Sequence, residues 1–114
     1  YTEAPAQPFA SLVRANFAHP RFSAPVVGAW TTFYAQANRS QAAARLLRVY
    51  QRRLHSNLVH ALRPLTSAPQ DVAETTAALI DGVYIRAAIR GKGLDSDASE
   101  IVLRATYAMI EGFE

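Results

Sequence analysis

The chemistry available to this chain rests on aromatic rings and one carboxylate. Trp30, Phe33 and Tyr34 fall on one helical stretch, while Tyr50, Tyr84 and Tyr107 fall on three others. Several aromatic faces around a small cavity would hold a quaternary ammonium ion by cation–π attraction. Aromatics at helical spacing more often fill cores, and core packing is the stronger reading from the residues alone. Asp81 stands between Ile80 and Ile85 and one turn from Tyr84, so its immediate surroundings are apolar. A buried carboxylate needs a partner. An internal ion pair with Arg52 or Arg53 is favoured over a cationic ligand.

Other constellations are weaker. Arg45, Arg48 and Arg52 follow a spacing of three and four and could meet phosphate, but a solvated or ion-paired face is commoner. No interleaved aromatic platform supports binding of single-stranded nucleic acid. His55 and His60 are five apart and do not share a helical face, and His19 sits at a helix end, so all three read as caps or surface residues. Ser56 lies near them, yet no motif orients a nucleophile. Gly91-Lys92-Gly93 follows a helix and is too short for a phosphate loop. There is no cysteine, hence no disulfide or thiolate. No enzyme, metal or cofactor is expected.

The elements that position these residues come from hydrophobic periodicity. An all-α domain of five helices is predicted. The first runs from about Gln7 to Ala18 and stops at His19-Pro20, because the residue before proline avoids helical geometry. The second starts between Ser23 and Pro25 and carries Val26, Val27, Trp30, Phe33 and Tyr34 to about Ala37. Asn38 to Ser40 is a break with capping residues. The third helix runs from about Gln41 to Leu62, with Leu47, Tyr50, Leu54, Leu58 and Leu62 as its ridge and Arg63-Pro64 as its stop. Ser67 and Gln70 suggest a capping box for the fourth, from about Gln70 to Ile89. Asp95, Ser96 or Asp97 caps the fifth, with Glu100 placed to close a box on Asp97, and the helix frays near Gly112.

Composition bounds the answer. The 114 residues suit one domain, 50% hydrophobic and 18% charged. The net charge of +3 is mild beside the dense basic patches of nucleic-acid readers. Lys92 is the only lysine, and an arginine-based surface favours fixed, hydrogen-bonded pairing. No apolar run approaches the roughly 20 residues that span a bilayer, so no membrane partner is expected. The chain starts at Tyr1 rather than methionine, which suggests a piece of a longer protein.

Gly82, at the centre of the fourth helix, costs about 1 kcal/mol of helix stability relative to alanine, which points to a packing reason. With Ala73, Ala77, Ala87 and Ala88 on that helix, and Ala98, Ala105, Ala108 and Met109 on the fifth, it makes a surface that another helix can approach closely. Packing within one chain is one outcome. A homodimer in which two helices from each copy form a four-helix bundle is favoured, because a chain this small leaves much apolar surface to cover.

Three segments carry a family likeness, in order and at similar spacing. They are Ala24-Pro25-Val26-Val27-Gly28-Ala29-Trp30-Thr31-Thr32-Phe33-Tyr34, Arg52-Arg53-Leu54-His55-Ser56-Asn57-Leu58, and Ala78-Leu79-Ile80-Asp81-Gly82-Val83-Tyr84-Ile85-Arg86-Ala87-Ala88. From Phe22 to about Asp95 the chain resembles the C-terminal regulatory domain of BetI-type repressors of the TetR family. The resemblance implies dimerisation through the last two helices and choline as inducer of glycine-betaine synthesis genes. It also implies a bacterial cytoplasmic location, and operator DNA read by a helix-turn-helix domain absent from this stretch. Under that expectation Trp30, Phe33, Tyr34 and Tyr84 supply aromatic faces, Asp81 a counter-charge and Asn57 a partner for the choline hydroxyl.

Overall fold

The computed structural model describes residues 3–17, 32–33, 35–90 and 97–113. Four helices are described, α1 Glu3–Asn16, α2 Gln41–Leu62, α3 Pro69–Arg90 and α4 Ala98–Phe113, with no strand among the described residues. The expected five are therefore seen as four. Most of the helix predicted between Ser23 and Ala37 lies outside the described residues. Its predicted end is visible as a helical stretch closed by a turn, with the Ala37 amide donating to the Phe33 carbonyl at 3.1 Å. Among the described residues, no helix is long and apolar enough to cross a membrane.

The helices form a four-cornered arrangement. α2 packs on α1 and α3, and α4 packs on the same two, leaving α1 and α3 on one diagonal. α1 begins earlier than expected and runs through Pro5 and Pro8. Pro5 falls in the first turn, where amide hydrogens have no helical acceptor. Ala6, Phe9, Ala10 and Val13, at spacings of three and one, form its buried stripe. The Phe9 ring meets Tyr107 of α4 edge-on, with centroids 6.1 Å apart at 63°.

α2 has the predicted limits. The Ser40 hydroxyl accepts the Ala43 amide at 3.2 Å and so caps the first turn. Leu54, Leu58 and Leu62 of the predicted ridge are buried, and each contributes about 1.5–3 kcal/mol of burial. Leu47 and Tyr50 are half-buried. The predicted Ser67–Gln70 box is offset, because α3 begins at Pro69 and its first carbonyl acceptor is Ala68, which takes the Val72 amide at 3.1 Å. Buried Thr66 closes the preceding turn by accepting the Ala68 amide at 3.1 Å.

α3 and α4 meet through two fully buried threonines. The Thr76 hydroxyl donates to the Val72 carbonyl at 2.8 Å. It has one proton, so the Thr106 hydroxyl, 3.1 Å away, donates to Thr76 Oγ1. At the start of α4 the Asp97 carbonyl accepts the Ile101 amide at 3.1 Å. Glu100 does not close a box there. Its Oε1 accepts instead from Arg14 Nε of α1 at 2.9 Å, an ion pair with both side chains half-exposed. That contact holds the Arg14 guanidinium above its ordinary value. Burial pushes the nearby Tyr107 phenol up, opposed by the charge of Arg14 and reinforced by that of Glu100.

Candidate functional site

α2 and α3 form a helical hairpin whose N- and C-terminal halves face each other, and a cavity of about 230 Å³ opens along the seam. Tyr50, Gln51, Leu54 and His55 line it from α2, and Glu74, Ala77, Ala78 and Asp81 line it from α3. The spacing of 74, 77, 78 and 81 puts these side chains on one helical face. Ala77 and Ala78 at its centre are short, which leaves the space open opposite Tyr50 and Leu54. The carboxylates of Glu74 and Asp81 flank that space, about 10 Å apart along the helix axis. Apolar floor, one phenol ring and two carboxylates suit a small organic cation.

Arg52 and Arg53, the expected partners of Asp81, are exposed, and across the seam His55 Nδ1 lies 3.7 Å from Glu74 Oε2. The reason is helical rotation. The buried Leu54 and Leu58 turn His55 towards α3 and leave Arg52 and Arg53 on the outside of α2.

The sequence-predicted ligand residues are only partly brought together. Asp81 is half-buried and lines the cavity. Tyr84 is 9% exposed and packs against the end of α1, its hydroxyl donating to the Asn16 carbonyl at 2.9 Å and its ring stacking on Phe17 at 6.0 Å and 21°. Asn57 is exposed on α2 and does not line the cavity. Phe33 is half-buried in the stretch before α2. Trp30 and Tyr34 lie outside the described residues. Sequence reasoning left Glu74 unremarked and took His55 for a surface residue. The hairpin register brings both to Asp81, and the i+7 spacing of Glu74 and Asp81 was the available signal.

The predicted dimer residues divide in the same way. Ala73 is fully buried and Ala98 is 4% exposed, so both pack within their own chain. Ala77 is half-buried in the cavity wall, and Met109 is half-buried against the core. Ala105 is exposed, and the side chain of Ala88 lies outside the described set. Gly82 is half-buried, and a Cβ built there would meet nothing within 4 Å. The packing reason for this glycine is therefore not inside the described fold. The apolar outer surface runs through Ala78, Gly82, Ile85 and Ile89 on α3 and Ile101, Ala105, Ala108 and Gly112 on α4. Ile89 is 80% exposed, Ile101 50% and Ile85 43%.

The chain matches the family model described as BetI-type transcriptional repressor, C-terminal, over residues 5–112. It is 43% identical over 112 residues to the HTH-type transcriptional regulator BetI of Brucella anthropi, covering 96% of this chain and 57% of that protein. The regulator of the same name from Brucella suis biovar 1 is 44% identical over 110 residues, with 95% and 55% covered. That of Rhizobium meliloti is 40% identical over 97 residues, with 83% and 48% covered. The chain thus spans about half the length of the curated relatives it matches. No solved structure matches it. The relatives are transcriptional regulators, not enzymes. By a match over nearly its whole length, the chain belongs to the BetI-type transcriptional repressor C-terminal family.

Proposed function

We propose that this chain is the ligand-sensing and dimerising domain of a repressor that answers to choline and controls genes of glycine-betaine synthesis. Operator DNA is read in this view by a helix-turn-helix domain outside the chain. The observation that carries the proposal is the α2–α3 cavity, where Tyr50, Glu74 and Asp81 surround a space sized for a small cation. The outer face of α3 and α4 supports pairing with a second copy, since exposed Ile85, Ile89 and Ile101 border small residues that let helices approach closely. A rival reading, a structural dimerisation module without a ligand, is favoured by Tyr84, whose hydroxyl is already satisfied within the chain.

Titration calorimetry with choline tests the proposal, with glycine betaine and the neutral isostere 3,3-dimethylbutanol as controls. Saturable binding of choline, lost on Asp81→Asn, is the expected result. At a hundredfold excess over Kd, ligand binding stabilises the fold by about 2.7 kcal/mol, a thermal shift of roughly 10 °C for a domain of this size. A folded dimer that neither binds choline nor shifts would overturn choline as the ligand and leave the structural module or a sensor of a different small cationic or lipophilic ligand.

A further inference from the structure

The net charge of +3 conceals a sharp partition along the chain. Residues 4–70 contain eight arginines and no aspartate or glutamate, whereas residues 71–114 contain eight carboxylate side chains and four basic ones. The fold gathers part of the basic excess on one surface. Arg45, Arg48 and Arg52 follow a spacing of three and four, so they share one face of α2, and all three are exposed. Arg53 is exposed beside them. Buried Leu54 and Leu58 turn the other side of the helix into the core, so the arginine face looks outward. Among the described residues the ion pairs are made by Arg14 and His55, and none of these four arginines joins one. The three stripe charges fall within about 10 Å of helix length and repel one another. A polyanion laid along the face relieves that repulsion.

Two polyanions compete for such a face. A helix that lies on a membrane inserts its apolar side, and the apolar side of α2 is already buried in the core. The backbone of a DNA duplex asks for no insertion. It presents one negative charge per roughly 1.7 Å of axis, and arginine's planar fork meets phosphate oxygens in pairs. We propose that the Arg45–Arg48–Arg52 face of α2 lies along the phosphate backbone of duplex DNA and adds sequence-independent contacts to those of the operator-reading domain. The proposal rests on the operator-DNA part of the function proposed above, which selects a duplex among polyanions, and is independent of the choline cavity.

The test is fluorescence anisotropy of a labelled duplex of scrambled sequence titrated with the chain at low salt. Three phosphate contacts give a slope of about −2.7 in log affinity against log salt, so a threefold rise in salt should weaken binding roughly twentyfold. Arg48→Gln with Arg52→Gln should cut the slope to about −0.9 and weaken binding at the lower salt by at least about tenfold. Glutamine matches arginine in helix propensity, and both sites are exposed, so the variant keeps the fold. Arg86→Gln with Arg104→Gln, at exposed sites on α3 and α4, removes the same charge and should leave the slope unchanged. Equal weakening by the two pairs would make the effect one of net charge and overturn the inference. Absence of duplex binding at low salt overturns it as well. Capture of phosphatidylserine vesicles, lost in Arg48→Gln with Arg52→Gln and unaccompanied by duplex binding, would assign the face to anionic lipid instead. None of these outcomes touches the choline reading, which the calorimetry decides.

Discussion

The buried threonine pair between α3 and α4 makes an asymmetric prediction. Thr76 gives its only proton to the Val72 carbonyl and accepts one from Thr106. Thr76→Val keeps the shape but removes the acceptor of a fully buried hydroxyl, and leaving Thr106 unsatisfied costs about 1–3 kcal/mol. Thr106→Val removes only a donor. The Thr76 hydroxyl keeps its bond to Val72, and the expected cost is about 0.5–1 kcal/mol. With both replaced, two apolar side chains of the same shape meet and no polar group is stranded. The double variant should lie within about 1 kcal/mol of the parent, with a coupling of about 1 kcal/mol or more. In thermal terms Thr76→Val should lower the midpoint by roughly 4–12 °C, at about 4 °C per kcal/mol for this length. The assay is urea unfolding followed by circular dichroism at one fixed protein concentration, comparing midpoints at a common slope. The donor assignment is refuted if Thr106→Val costs as much as Thr76→Val, or if the two single costs add in the double variant.

Three further outcomes are expected. Ile89→Glu, at a site 80% exposed, should leave helicity unchanged yet convert a dimer to monomer in sedimentation equilibrium, whereas an unchanged mass would place the pairing face elsewhere. Tyr84→Phe keeps the ring on Phe17 but loses the bond to the Asn16 carbonyl, which should lower stability by about 0.5–1.5 kcal/mol in the same urea assay. Tyr107 should ionise above the ordinary tyrosine range, seen as a late component of the ultraviolet titration that Tyr107→Phe removes. Because its folded value is raised, the stability it contributes is complete below the unfolded value and is lost as pH climbs through the folded one. Unfolding midpoints should therefore fall over that alkaline window, and less so in Tyr107→Phe.

Much of the fold was legible because local signals agreed. α2 was bounded correctly by a serine cap and an Arg-Pro stop, both of which act within a few residues. α1 was started too late, at about Gln7, although Pro5 falls in the first turn, where proline is tolerated. Asp81 stood out as a carboxylate in apolar surroundings, and it lines the cavity. Tyr84 did not join it there, because helical spacing names a face and says nothing of the neighbour on that face. Here the neighbour is the end of α1. Glu74 and His55 were illegible for the same reason, since they meet across a seam whose register only the folded hairpin sets. Alanine type alone could not separate buried Ala73 from exposed Ala78. The rotation of α3 is fixed by Val72, Thr76 and Ile80, which are wholly inside.

α3 is a single rigid rod with a different duty on each side. Asp81 looks into the seam with α2, Gly82 and Ile85 look outward, and Tyr84 grips the end of α1. These positions lie within little more than one helical turn, so on the proposed function the rod would act as a camshaft. A small axial twist that draws Asp81 inward must sweep Ile85 across any facing copy and pull on the Asn16 carbonyl in the same stroke. On the proposed function, ligand affinity and subunit affinity would be two readings of one angle, each changing the other by an equal factor.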